Sequence, residues 1–370
     1  MKKILFLIHD LGEGGAEKVL LNLVNNMDQS KFDITVMTLF DYGVNRQFIA
    51  PHIKYKTWCK KMFRGNSHLM KLFTPEQLYK MIIKDHYDVV VSYLEGPTAR
   101  VVSGCSDNTT KIISWIHCTF HSRKELSNSF RSMSEANKCY NKLDKIIFVS
   151  EEVKKDFLNT CDYTGVCQVL NNTNESDVII NKSNLQLKES IFDKNIFYWC
   201  GMGKITSNKG FDRMIRIQKK LVGLGYNLKL IILGDGPLKQ ELEKMCKDSG
   251  IIESVIFKGY QKNPYNYLKK CDLFVCASHS EGFSTAATEA LIVGTPVCTV
   301  DVSGMKEMLG ENNEYGVVVE NDEEALYKGI KKLLDDKHLL EYYKQQALER
   351  GKMFSTEKTV KAVEDMLMGL

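Results

Sequence analysis

The chain of 370 residues contains no apolar run approaching the roughly 18–20 residues that a membrane-spanning helix needs, so no such helix is expected. Its first residues, MKKILFLIHD, superficially resemble an export signal. The apolar run there is only Ile4 to Ile8 and His9-Asp10 ends it, which predicts a first strand instead. Eleven cysteines are present without a single C-x-x-C pair, odd in number and scattered, several inside strand-like runs (Cys200, Cys276, Cys298); this usage suits a reducing cytosol. The net charge is only +4, so whole-molecule attraction to nucleic acid is not implied. No repeat of 20–50 residues runs along the chain, which excludes a solenoid.

What is present fits a soluble globular protein, with 44% apolar and 26% charged residues. The length exceeds one ordinary core and suits two α/β domains of roughly 150–200 residues. Short apolar runs alternate with helical patterns at 4–8, 32–39, 88–94, 111–116 and 145–150, which reads as a parallel sheet wrapped by helices. From Val166 to Lys194 the pattern breaks into an Asn- and Ser-rich stretch, placing a domain boundary near Asn172. A second series follows: 196–203, 228–237, 255–260, 273–280, 296–302 and 315–320. The expected domains are therefore 1–171 and 172–354, with 355–370 an amphipathic helix packing back on the first.

The second half centres on residues 271–300, CDLFVCASHSEGFSTAATEALIVGTPVCTV. Leu273–Ala277 reads as a buried strand and Thr285–Val293 as a short buried helix that Ser284 or Thr285 can cap. Gly294 and Pro296 stop that helix before a strand at Val297–Val300. A helix N-terminus at the carboxyl end of such a sheet favours an anion, typically phosphate. Glu281 precedes the helix, whereas Glu289 lies within it, roughly 6 Å from Thr285 at ~1.5 Å per residue. A carboxylate among apolar neighbours needs a partner, either a lysine of the protein or the paired hydroxyls of a ribose.

Other candidates lie at strand ends. Gly203-Lys204-Ile205-Thr206-Ser207-Asn208-Lys209-Gly210 joins a strand to a helix, and its two lysines either clamp a diphosphate or are surface charges. GEGGAE at 12–17 opens the first helix and is not G-x-G-x-x-G, which disfavours a dinucleotide site. His117 and His9 each end a strand at the edge where α/β proteins bind ligands, and each has a structural alternative. Between His52 and Asp85, eight Lys/Arg face two acids, a local +6 that leaves −2 for the remainder. With Trp58, Met62, Phe63, Leu69, Met70, Leu72 and Phe73 interspersed, segment 54–84 suits an anionic membrane surface, or else a solvated face over core.

Four motifs in order, GGAEK at 14–18, G-K-x4-K-G at 203–210, LGDGP at 233–237 and E-x7-E at 281–289, resemble the retaining glycosyltransferases of family 4. The resemblance spans essentially the whole chain and implies the GT-B fold, α/β with two Rossmann-like parallel-sheet domains facing across a cleft. It implies that Glu289 binds the donor ribose, that the backbone around Ser284, Thr285 and Ala286 holds the phosphates, that Gly282 and Phe283 also belong to the donor site, and that Glu281 faces the donor sugar. Lys209 would meet the diphosphate, and Lys204 replaces the family's usual arginine. Gly203 belongs to the same loop, Gly15 would let the diphosphate approach, His117 would touch the sugar, and Gly259-Tyr260 would read the nucleobase. Glu281, His117 and Lys209 are the expected catalytic set. No D-x-D occurs, the acidic pair with which metal-dependent glycosyltransferases hold a cation, so no metal or other cofactor is expected.

The implied function is retaining transfer of a hexose or N-acetylhexosamine, from UDP-sugar by preference, to a glycan acceptor, lipid-linked by expectation, in cell-surface polysaccharide synthesis. The expected location is cytoplasmic, peripheral on the inner face of the cell membrane. Two alternatives stand beside it: a sugar-nucleotide epimerase of the same architecture, and a non-catalytic nucleotide-sugar-binding partner subunit.

Overall fold

The structure is a computed structural model that describes residues 1–12, 14–62, 65–120, 122–187 and 191–370. It divides into two compact units, Met1–Asn174 with Thr356–Leu370, and Glu175–Ser355.

The first unit is built on seven parallel strands: β1 (Lys2–Ile8), β2 (Phe32–Phe40), β3 (Lys54–Cys59), β4 (Val89–Ser92), β5 (Lys111–Ile116), β6 (Lys145–Phe148) and β7 (Val166–Val169). Their spatial order is β3-β2-β1-β4-β5-β6-β7. Ile4 of β1 stands beside Ile34 on one side and Val89 on the other. Helices cover both faces of such a sheet, and the central strands accordingly read as continuous apolar runs, with Ile4–Ile8 all buried. The chain order reverses between β1 and β4, which opens a crevice at the carboxyl ends of those strands.

The second unit repeats the scheme with β8 (Phe197–Met202), β9 (Leu228–Leu233), β10 (Val255–Gly259), β11 (Leu273–Cys276), β12 (Val297–Val300) and β13 (Val317–Val319), in the order β10-β9-β8-β11-β12-β13. Here the reversal lies between β8 and β11, where Leu273 pairs with Trp199. Both sheets are the doubly wound type expected. The last helix, Thr356–Met368, closes onto the first unit: the Leu367 carbonyl accepts from Lys2 Nζ at 2.8 Å, and Glu364 accepts from the Asp28 amide at 2.6 Å.

Two edge strands depart from the sequence reading. β3 occupies the start of the basic segment, where Lys54, Lys56 and Tyr55, Thr57 alternate with period two on a partly exposed edge. β7 and the helix Ser176–Ser183 lie in the stretch read as broken; the polar content there belongs to an edge strand and to a helix whose buried positions are few. None of the cysteines is disulfide-bonded. No described helix is long and apolar enough to cross a membrane.

Candidate functional site

In the second unit the decisive residues sit on the loops that follow β8 and β11, the neighbouring strands at the reversal of chain order. Those loops are pressed together. Gly210 adopts φ +64°, and a Cβ there would collide with the Ala277 carbonyl, so both the turn and the close approach require glycine. Asn208 then ties the loops on two sides, its carbonyl accepting from the His279 amide and its Nδ2 donating to the Ser280 carbonyl, both at 2.8 Å. The outcome is that Lys209 Nζ lies 2.6 Å from Glu281 Oε1. The same oxygen accepts from Ser278 Oγ at 2.6 Å. Glu281 is only 11% exposed in its side chain and Lys209 30%, so the pair is partly screened from water.

The helix Thr285–Val293 begins directly behind this pair. Ser284 rather than Thr285 caps it, its Oγ accepting from the Ala287 amide at 3.3 Å, and Gly294 in the left-handed region ends it. Amides of the first turn, Thr285 and Ala286 included, have no acceptor within the helix itself, which is the physical basis of an anion site. A cavity of about 20 Å³ beside the helix start is bordered by Lys209, Cys276, Ser278, Glu281, Ser284 and Ala286. Further along the helix, Glu289 is 3% exposed and accepts a hydrogen bond from the Tyr265 hydroxyl at 3.2 Å. A buried tyrosine is thus one protein partner of this carboxylate.

The remaining residues expected in this unit have unequal surroundings. Lys204 is exposed, and Gly203 adopts φ +153° over the Lys209 stem. Gly259 takes φ +64° beside Asp235 and Lys239, and Tyr260 is 74% exposed. Phe283 turns its ring inward, 5% exposed and 5.9 Å from the Phe354 ring, so it anchors the loop and offers a ligand only backbone; Gly282 precedes it at the rim.

In the first unit, His117 follows β5. Its amide donates to Glu95 Oε2 at 3.0 Å and its ring stands 4.9 Å from Tyr93 and 6.3 Å from Trp115. Nε2 is buried without a hydrogen-bond partner among the described residues, and burial pushes the imidazole pKa down to about 3. His117 is therefore neutral at physiological pH. His9 instead pairs with Asp10 at 2.7 Å and packs on Phe40. Gly15 opens the helix Gly15–Asn26, and a Cβ there would meet nothing within 4 Å, so the fold itself does not demand glycine. Glu17 folds its carboxylate over Gly14; burial raises its pKa, and Asp10 and Glu95 add to the shift. Glu13 lies outside the described residues.

The basic segment is less uniformly cationic than its composition. Lys54 pairs with Asp33 at 2.6 Å and Lys56 pairs with Asp85, so two of its lysines are neutralised by acids on other strands and loops. Lys60 and Lys61 remain exposed beside Met62, with Leu69 and Leu72 exposed nearby, Leu72 at 72%. Trp58 meets Phe40 edge to face and Met70 is buried. Arg100, 1% exposed, donates to the carbonyls of Met70 and Phe73, and Arg131 to those of Lys71 and Leu72, so four successive carbonyls are clamped and the leucines are held outward. Phe63 and Arg64, part of the same expectation, lie outside the described residues.

Two family models account for the chain between them. The Glycosyltransferase Family 4 model matches residues 13–172, and the model described as Glycosyl transferases group 1 matches 183–350. The chain is a family 4 glycosyltransferase. This transferase is 29% identical, over the full length of both chains, to the N-acetylgalactosamine-N,N'-diacetylbacillosaminyl-diphospho-undecaprenol 4-alpha-N-acetylgalactosaminyltransferase of Campylobacter jejuni. It is 24% identical to the poly(ribitol-phosphate) alpha-N-acetylglucosaminyltransferase of Staphylococcus aureus, over 71% of its own length and 50% of that protein's. Its fold matches Anabaena HepE in complex with UDP at a TM-score of 0.79, with 17% identity and full coverage of both chains. Sucrose-phosphate synthase of Thermosynechococcus elongatus matches at 0.76, with 14% identity, over 100% of this chain and 99% of that one. The transferase thus has the GT-B fold, two parallel-sheet Rossmann-like domains.

Among residues that the sequence reading did not single out, the transferase places Ser278 and Asn208 at the Lys209–Glu281 pair, Tyr265 on Glu289, and Glu95 on the His117 amide. Asn208 lay inside the G-K-x4-K-G loop and Ser278 three residues before Glu281, so position alone could have flagged both. Glu95 and Tyr265 carried no signal, because their partners are distant in sequence.

Proposed function

We propose that the transferase moves an N-acetylhexosamine or hexose from a UDP-sugar onto a glycan carried by a polyprenyl diphosphate, with retention of anomeric configuration and without a divalent metal. The observation that carries this reading is the Lys209–Glu281 pair at the start of the helix Thr285–Val293, with Glu289 buried on that helix. Departure of UDP leaves negative charge on the diphosphate; Lys209, Lys204 and the first-turn amides around Ser284, Thr285 and Ala286 offset it. Glu281 stands where positive charge would develop on the anomeric carbon. Glu289 receives the ribose hydroxyls, and its Tyr265 contact keeps the carboxylate oriented. His117, held neutral, suits an uncharged sugar hydroxyl rather than a phosphate. Gly15 is assigned to the donor on the family resemblance, and Gly259-Tyr260 to the base.

The acceptor hydroxyl attacks on the face that the diphosphate leaves, and a phosphate oxygen takes its proton. The names of the Campylobacter and Staphylococcus relatives support an N-acetylhexosamine, the former also a diphospho-polyprenol acceptor, and the HepE complex supports UDP. Exposed Lys60, Lys61, Met62, Leu69 and Leu72 support contact with an anionic membrane, which for a lipid-linked acceptor is the inner face of the cell membrane.

The test is UDP, GDP or ADP release from a panel of sugar donors, with a polyprenyl-diphosphate N-acetylhexosamine present or absent and EDTA added or omitted. Acceptor-dependent release of UDP, an α-linked product by NMR and insensitivity to EDTA are expected. A product of inverted configuration, or loss of turnover on chelation, would overturn the corresponding part.

A further inference from the structure

We propose that Ser278 is a positioning residue for sugar transfer, holding Glu281 in place while Lys209 changes partners. The inference rests on the assignment of Lys209 to the donor diphosphate and Glu281 to the donor sugar. Ser278 follows β11 and is 1% exposed. Its hydroxyl donates to Glu281 Oε1 at 2.6 Å, the oxygen that also receives Lys209 Nζ at 2.6 Å. The Cys276 thiol, kept protonated by burial, lies 3.5 Å from Ser278 Oγ and 4.0 Å from Glu281 Oε1, so the much shorter Ser278 bond is the firmer of the two neutral contacts to that oxygen.

The ammonium of Lys209 has two anionic claimants once a donor is bound, the carboxylate and the diphosphate. A nucleoside diphosphate carries more negative charge than one carboxylate, so the flexible lysine stem is drawn toward it. Whatever Lys209 yields, Glu281 loses at Oε1. Ser278 cannot follow the lysine, because it is buried at a strand end, and the intervening residues 279 and 280 are tied by Asn208. The hydroxyl therefore keeps one hydrogen bond on Oε1 throughout the exchange. In its absence the Glu281 side chain would be free to swing after Lys209, away from the anomeric carbon.

Three variants test this in the full-length chain with UDP-N-acetylgalactosamine as donor probe. Ser278→Ala is expected to lower kcat roughly 10- to 100-fold, the rate equivalent of one hydrogen bond to a charged group. UDP affinity should stay within about twofold, because the interaction matters most after Lys209 has moved. Ser278→Thr keeps the hydroxyl, and the cavity bordering Ser278 offers its methyl some room, so it should recover most of the rate.

A Ser278→Ala enzyme with the native kcat overturns the proposal. Parallel losses of kcat, UDP affinity and thermal midpoint also overturn it, since they indicate packing alone. The kcat-against-affinity split in the Ala variant decides the matter even where the Thr variant folds poorly. Glu281→Gln separates the two levels: if it retains native turnover, the underlying assignment fails, whereas an inactive Glu281→Gln beside a fully active Ser278→Ala removes only Ser278.

Discussion

At the residue scale, the proposed donor site is described by charges that satisfy one another in the protein alone. Lys209 and Glu281 form an ion pair with 30% and 11% exposed side chains, so a diphosphate in the proposed place would compete with a carboxylate for the lysine. Glu281→Gln is accordingly expected to have opposite effects on two measurements. Turnover falls at least ~100-fold, about 2.7 kcal/mol of barrier. UDP binding, read by calorimetry at fixed ionic strength, tightens by about 2- to 5-fold, the equivalent of a partly exposed ion pair no longer opposing it. Weaker UDP binding in this variant would contradict the exchange of partners.

His117 supplies a separate prediction at this scale, because burial holds its pKa near 3 against an ordinary value of 6.5. The unfolded chain protonates this group first as pH falls, so the folded state's neutral histidine stabilises fully above about pH 6.5 and progressively less from there toward pH 3. Wild type should lose about 2 kcal/mol more stability than His117→Asn between pH 8 and pH 5 in urea unfolding. Equal losses in the two proteins would show that His117 does not titrate in that window.

At the element scale, two glycines of the recognised motifs have different reasons for being glycine. Gly210 is required by the loop itself, through its positive φ and the Ala277 carbonyl against it. Gly210→Ala should cost roughly 1–3 kcal/mol of stability and separate Lys209 from Glu281. Gly15 has ordinary backbone and open space at its Cβ position. Gly15→Ala should keep the native thermal midpoint within about 2 °C while weakening UDP-sugar binding. A Gly15→Ala protein that binds donor normally would remove Gly15 from the site.

At the scale of the whole molecule, each unit has its own sheet and core, and the chain returns to the first unit only in its last helix. Attraction to an anionic membrane depends on which cations survive folding unpaired by acids on other elements. Neutralising Lys60 and Lys61 should weaken binding to anionic vesicles by about fivefold per lysine, at about 1 kcal/mol each near such a surface. The same substitutions at Lys54 and Lys56, already paired with Asp33 and Asp85, should do less. Unchanged vesicle binding in the first variant would remove this face from the reading.

The amino-acid sequence by itself determined the two-layer α/β repetition, the bounds of the helix Thr285–Val293, the strand Val297–Val300 and the four family motifs, because these depend on local periodicity and on glycine and capping chemistry within a few residues. It did not reveal β3 and β7, whose edge positions leave only half-apolar patterns, nor the neutralisation of Lys54 and Lys56 across the sheet. Only the tertiary structure decided that Glu281 meets Lys209 and Ser278, that Tyr265 meets Glu289, and that Nε2 of His117 is buried without a partner among the described residues. Three of these depend on which strand ends and helices become neighbours, a matter of sheet order rather than of any residue's intrinsic preference. Ser278 depends on something finer, the turn that brings a hydroxyl back onto a carboxylate three residues later.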